Sequence, residues 1–262
     1  MTTIQISKPM LAGKCEQMSN LRFPVLATPK LDGIRCLKIG GHAMTRPFKP
    51  ISNVFTRAWI ERHLPDGVDG ELMVNGATFS ETAGHIGRES GQPDFRFHVF
   101  DYVSEGVDVP YACRMQELAR LPDFERVQKV LPIEMKNLDQ LTAYEAQCVA
   151  EGFEGVMIRT PDSPYKCGRS MEREGWLLKF KRFEDAEAVV LECIKGLSNN
   201  NPAEKDAFGR TNAETKKILP SREFGAKLLF KFRPNSVNSL AIRRYANHRP
   251  IFISPHSQPK HV

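Results

Sequence analysis

The stretch Ala27-Thr-Pro-Lys30-Leu-Asp-Gly-Ile-Arg35 decides how the larger part of this chain folds. On its N-terminal side Phe23–Thr28 is apolar and β-prone, and on its C-terminal side so is Ile34–Ile39. The Asp32-Gly33 step between them reads as a tight turn where two strands meet. A lysine at a strand end, two residues before such a turn, can point into a cleft. Burial and neighbouring cations lower an amine's pKa and make it a nucleophile near neutral pH. Arg35 could face the same cleft and neutralise a phosphate. An ordinary hairpin with solvated Lys30 and Arg35 would carry the same letters, so this stretch alone leaves both readings open.

Outward from it, strand and helix signals alternate through the first 180 or so residues. Residues 51–63 place apolar positions at helical spacing, with Ser52 as the cap. Val68–Val74 reads as a strand, and Phe95–Val103 alternates and is rich in aromatic and β-branched residues. Residues 111–120 and 138–151 read as helices. Val156–Arg159, Leu177–Lys181 and Ala188–Ile194 read as short strands. Composition shifts near 183–187, from mixed helix and strand to one strand, a long polar stretch, a strand candidate at 226–232 and an irregular basic end. A domain boundary is expected at about 184. Residues 185–262 alone make a small unit for an independent core.

With 262 residues, 41% of them hydrophobic and 26% charged, general disorder is excluded. No apolar run approaches the roughly 20 residues of a membrane span. The N-terminus lacks a charged region followed by an apolar stretch, so no secretory signal is expected. Six cysteines lie far apart with no C-x-x-C pair, which argues against a zinc site or disulfide framework and for a reducing compartment. The net charge of +6 is uneven. Beyond the last acid, Glu223, stand Lys227, Lys231, Arg233, Arg243, Arg244, Arg249 and Lys260, so the first 223 residues are almost neutral. That tail reads either as a solvated extension or as a basic arm for nucleic acid.

Three further constellations accompany the lysine element. In Asp69-Gly-Glu71, a carboxylate on a strand can accept from a sugar hydroxyl or hold a cation. In Glu154-Gly-Val-Met-Ile-Arg159, a carboxylate at the mouth of an apolar strand suits Mg²⁺ on a nucleotide phosphate. In Trp176-Leu-Leu-Lys179-Phe-Lys181, alternation sets two lysines on one face as a phosphate site. Each has a bland reading as a surface turn, a solvated loop or a guarded edge strand. Together, and in this order, they supply a nucleophile, a ribose acceptor, a metal carboxylate and phosphate cations. His98 reads as a strand residue, and Met73 and Met157 as core positions on strands.

The stretches ATPKLDGIR, TRPFKPISN, VDGELMVNGATF, FHVFDYV, GFEGVMIR, YKCGRS and LLKFKRFEDAEA resemble the covalent nucleotidyltransferases. Within that group the sequence is most similar to the small viral and bacteriophage ATP-dependent DNA ligases of the chlorella-virus type. The resemblance implies an α+β fold: an adenylation domain of antiparallel sheets and helices over residues 1–184, then an OB-fold module over 185–262. It implies that Lys30 becomes adenylated by ATP. It implies that Thr28, Arg35, Arg46, Glu71, Phe100, Arg169, Lys179 and Lys181 bind ATP or AMP, with Phe100 stacking on the base and Glu71 holding the ribose. Glu154, with Glu71, would bind Mg²⁺ or Mn²⁺. The implied partner is nicked duplex DNA in replication or repair, met by an intracellular monomer.

The resemblance fades after about Lys217. The family's basic closing motif has no counterpart in SVNSLAIRRYANHRPIFISPHSQPKHV, so a truncated or atypical OB-fold is expected. The polar stretch 198–217 corresponds to a DNA-clamping loop. Alternatives are an RNA ligase or capping-type enzyme, and a nick-binding relative that has lost catalysis. Removing residues 224–262 should lower DNA affinity and flatten its dependence on salt; an unchanged salt slope in binding titrations would make the tail's charge incidental.

Overall fold

The computed structural model describes residues 6–181 in full, and the backbone of 183–195, 228–234 and 240–245. These residues fall into two compact units, one ending at Lys181 and one containing Phe183–Lys195 and the later strands. In the first unit the strands are β1 (Gly13–Lys14), β2 (Val25–Pro29), β3 (Ile34–Ile39), β4 (His42–Thr45), β5 (Val68–Val74), β6 (Phe95–Tyr102), β7 (Val127–Lys129), β8 (Ile133–Met135), β9 (Val156–Arg159) and β10 (Leu178–Phe180). The helices are α1 (Val54–His63), α2 (Phe79–Gly87), α3 (Tyr111–Arg120) and α4 (Leu138–Ala150).

Two five-stranded sheets result, ordered β1-β10-β9-β2-β8 and β4-β3-β5-β6-β7. Alternation along each strand divides its side chains between two faces. On one face of the first sheet, Val25, Ala27, Val156, Ile158 and Leu178 pack with Leu141 and Cys148 of α4. On one face of the second, Ile34, Cys36, Leu72 and Phe97 pack with Ile60, Ile86 and Leu118 of the other helices. A third cluster, including Met10, Leu37, Tyr165 and Leu177, joins the two sheets. The fold is α+β, as expected.

The expected hairpin at Asp32-Gly33 is not one. β2 and β3 lie in different sheets, so Lys30–Gly33 is a crossing between them. A Cβ on Gly33 would lie 2.6 Å from the Leu72 carbonyl oxygen, so glycine is what lets β3 seat against β5. Gly155 does the same for the lysine. Its φ is +139°, and a Cβ there would lie 2.3 Å from the Phe180 carbonyl oxygen. The Lys30 N–H donates to the Gly155 carbonyl at 2.8 Å, and the Glu154 N–H to the Lys30 carbonyl at 3.3 Å.

Other departures have local causes. The cap of α1 is Asn53, not Ser52: its Oδ1 accepts from the Thr56 N–H and hydroxyl, while its Nδ2 donates to the Arg88, Ser90 and Gly91 carbonyls. Helix α2 was not expected, although Thr78-Phe-Ser-Glu81 forms a capping box. β1, β4, β7 and β8 span only two to four residues each, too few to show alternation. Met157 is half-buried and lines a pocket rather than filling a core.

The second unit contains β11 (Phe183–Lys195), β12 (Leu228–Pro234) and β13 (Leu240–Tyr245), antiparallel in the order β12-β11-β13. β11 starts five residues before the expected Ala188, and β13 lies where an irregular end was expected. The register sets Arg244 opposite Glu184 and Arg243 opposite Asp185, opposite charges at facing positions of the kind that support strand pairing. Lys231, Arg233, Arg243 and Arg244 of the basic tail therefore lie on strands. The polar stretch 198–217 is outside the described residues.

One carboxylate ties much of the first unit together. Asp101 of β6 is fully buried and accepts from Arg114 of α3, Nε to Oδ1 at 2.7 Å and Nη2 to Oδ2 at 3.1 Å. Arg159 of β9, in the other sheet, donates to the same Oδ2. Burial raises the Asp101 pKa, but Arg159 and Arg114 outweigh it and hold the carboxyl below its ordinary range. Asp101→Asn leaves two buried guanidinium groups sharing a neutral amide. It should cost about 3–5 kcal/mol, read as a lowered midpoint in denaturant unfolding; a wild-type midpoint would contradict this account.

Candidate active site

A cavity of about 240 Å³ opens between the two sheets. From the first sheet come Thr28 of β2, Met157 of β9 and Lys179 of β10, which stand at one level because Thr28 pairs with Met157 and Met157 with Lys179. Lys30 follows directly on β2. From the second sheet come Arg35 of β3, Glu71 of β5 and Phe100 of β6. The loop after β4 supplies Arg46, and the segment before β10 supplies Arg169. Eight residues expected from sequence thus line one pocket. Glu154 and Lys181 are not on its wall but reach it through the lysine: Glu154 Oε2 accepts from Lys30 Nζ, and Oε1 from Lys181 Nζ at 2.8 Å.

The electrostatics assign different work to these groups. Burial opposes charge on Glu154, but its bonds from Lys181 and Lys30 prevail and hold its carboxyl below the usual range. Lys179 is lowered by burial and by its neighbours Lys30 and Arg169. Arg169 and Arg46 are exposed, and Arg169 Nη1 donates to the Ala12 carbonyl at 2.5 Å. Arg35 is committed to the fold. Its Nε and Nη2 grip both oxygens of buried Asp69 at 2.5 and 2.6 Å, and its guanidinium lies 4.6 Å from the Phe100 ring centre. The Tyr165 hydroxyl donates to the same Asp69 at 2.6 Å. The arrangement steadies an aromatic ring on the pocket wall.

Glu71 differs. Its Oε2 is buried with no hydrogen-bond partner among the described residues. Burial, opposed by Arg35 but reinforced by Asp69, pushes its pKa up to about 7. A buried acceptor in this state is relieved by a hydroxyl donor. Among the described residues no group of three or more His, Cys, Asp or Glu stands ready for a metal. Mg²⁺ needs only one or two carboxylates plus substrate phosphates, which Glu154 and Glu71 can supply.

Sequence reasoning missed the supports. Asp69 appeared only as the flank of Glu71, while Asp101, Tyr111, Arg114, Arg159 and Tyr165 were given no role. The one available signal was an acid on each of two strands otherwise apolar on alternate positions.

A family model described as an ATP dependent DNA ligase domain matches residues 9–181, which covers every pocket residue. The chain belongs to the ATP-dependent DNA ligase family. Among ligase relatives, the African swine fever virus DNA ligase (strain Badajoz 1971 Vero-adapted) is 28% identical over 134 residues, 49% of this chain and 32% of that protein. A probable DNA ligase of Kineococcus radiotolerans is 29% identical over 208 residues, 72% of this chain and 40% of that protein. The chain therefore spans between a third and two fifths of the length of these relatives. A crystal structure of the Chlorella virus DNA ligase-adenylate is 32% identical, with a TM-score of 0.65 over 93% of this chain and 84% of that one.

The raised pKa of Glu71 has a consequence for stability. The stability associated with its neutral form is fully present below the ordinary carboxylate range and is lost as pH rises through about 7. Glu71→Gln removes that loss. Thermal melting should show the variant a few degrees above wild type at pH 8 and level with it at pH 5; parallel curves would refute the shift.

Proposed function

We propose that this chain seals 5′-phosphate/3′-hydroxyl nicks in duplex DNA, using ATP. One observation carries the proposal: Lys30, on the crossing between two sheets, stands in a pocket that also holds Glu71, Phe100 and the cations Arg46, Arg169 and Lys179. An amine nucleophile, a sugar acceptor, a flat apolar wall and phosphate cations suit a nucleoside triphosphate. The name of the Chlorella virus relative, a ligase-adenylate, supports the same reading.

In the first step the Lys30 Nζ lone pair attacks the α-phosphorus. A P–N bond forms, the P–O bond to pyrophosphate breaks, and the electron pair leaves with pyrophosphate. The ammonium must first lose a proton, and Glu154 already accepts its hydrogen bond. Arg46, Arg169 and Lys179 neutralise charge on the phosphates. Phosphoryl transfer asks the protein chiefly for such positioning and neutralisation. AMP then passes to the 5′-phosphate at the nick, and the 3′-hydroxyl displaces it. Mg²⁺ or Mn²⁺, held by Glu154 and Glu71, would supply further charge neutralisation on the triphosphate.

The wider reading is an intracellular monomer of two modules. These are a nucleotidyltransferase over about 1–184 and an atypical OB-type module over 185–262. Among the described residues no helix is long and apolar enough to cross a membrane.

Incubation with α-labelled ATP and Mg²⁺ should give a covalent protein–AMP adduct, absent from Lys30→Ala, and the wild type should seal nicked DNA in preference to nicked RNA. Cap transfer from GTP or preferential RNA sealing would move the assignment to the RNA enzymes. Tight nick binding with no adduct would leave a binding protein.

A further inference from the structure

Arg159 is a buried guanidinium with half its hydrogen bonding unspent. Its side chain is 4% exposed, yet it belongs to the wall of the pocket. Nη1 donates to Asp101, and the planar group lies 4.2 Å from the Tyr111 ring centre. Among the described residues its Nε and Nη2 make no hydrogen bond. An arginine carries five N–H donors and no acceptor, so the rest of this fork faces the cavity with nothing to donate to. Its charge is also only half compensated. Asp101 is shared with Arg114, whose own fork is filled by that carboxylate and by the Val109 and Ser163 carbonyls. Two guanidinium groups and one carboxylate leave a net positive charge in a dry place. Unmade bonds of buried charged donors are expensive, and a ligand acceptor would offset that cost.

The strand register says which part of a ligand lies there. Lys30 sits beside Gly155, and Arg159 is four positions further along β9, opposite Leu26 of β2. At about 3.3 Å per residue the two backbones are roughly 13 Å apart along the strand. With the α-phosphate at Lys30, Arg159 stands at the far end of the nucleotide. The two aromatic residues of the wall are linked at that end, the Tyr111 hydroxyl donating to the Phe100 carbonyl at 3.4 Å. Glu71 lies between, facing the sugar.

We infer that Arg159 is a specificity-determining residue that reads the base, donating to an acceptor nitrogen of the purine ring. This rests on the nucleotide reading of the pocket. Because the guanidinium cannot accept, it turns away any base edge that offers only an amino group. It therefore meets N1, N3 or N7 of adenine and not the exocyclic N6. Asp101 and Tyr111 hold the fork in place for that contact, so Asp101 is a positioning residue for it.

The test replaces one ring nitrogen at a time. The full chain is titrated with ATP and with its 1-deaza, 3-deaza and 7-deaza analogues, reading both binding and the rate of Lys30 adduct formation. Wild type should lose about tenfold in affinity for one analogue, and Arg159→Met should be indifferent to that same substitution while binding ATP about tenfold more weakly. Arg159→Lys keeps a cation beside Asp101 and serves if the Met variant does not fold; it too should lose the discrimination. Equal affinity of wild type for all four nucleotides overturns the inference, as does a penalty that survives in both variants. Binding is read independently of chemistry. Nucleotide binding without an adduct would count against the transferase reading and leave Arg159 on trial, whereas adduct formation with no analogue penalty would do the reverse.

Discussion

The rest of the first unit depends on one crossing. Between Pro29 and Ile34 the chain leaves one sheet and enters the other, and the space for this is made by two glycines. Gly33 admits the Leu72 carbonyl, and Gly155 admits that of Phe180. The lysine cannot slide, because its N–H and carbonyl are both bonded to the Glu154–Gly155 turn. A residue on a hairpin tip would sample many directions. A residue in a seam between two packed sheets has its backbone set by both, and pre-set geometry is what a transfer step needs.

The seam also explains why so many charges are buried around it. Sheets that part to make a pocket leave strand positions facing neither core nor water. Here they are filled by paired ions: Arg35 with Asp69, and Arg114 and Arg159 with Asp101. Such pairs add little net stability compared with apolar residues of similar size, since desolvation consumes most of their attraction. They give direction instead. Each guanidinium lies against an aromatic ring of the pocket wall, Arg35 on Phe100 and Arg159 on Tyr111. The salt bridges thereby become the scaffold of an apolar surface.

Much of this was legible in the sequence, in a particular way. The residues that meet a ligand sit in short local motifs, so Lys30, Glu71, Phe100 and Lys179 could be named from spacing alone. Strands of six or more residues, such as Ile34–Ile39 and Val68–Val74, showed themselves by their apolar and β-branched runs. What failed was pairing. Whether β2 and β3 hydrogen-bond to each other depends on partners more than 30 residues away, and a turn dipeptide carries no trace of them. The supporting ions failed for the same reason. Asp69 and Tyr165 are 96 residues apart, and Asp101 and Arg159 are 58 apart. In the second unit, β13 was hidden because its strand character is shared with β11, whose acids stand opposite its arginines.

The charge of the chain takes a different meaning from this geometry. Overall the first 223 residues are nearly neutral, which by itself says nothing about a polyanionic ligand. Locally the balance is broken. Glu154 is one carboxylate between two lysines, and Arg46, Arg169 and Lys179 make no salt bridge among the described residues. Like charges gathered at a pocket repel one another, and the lowered pKa of Lys179 records that repulsion together with its burial. An anionic ligand removes the strain at each of these positions at once, whereas a neutral one removes it at none. Selectivity for phosphate is thus built from what the protein withholds, namely the acids that would have balanced its own cations.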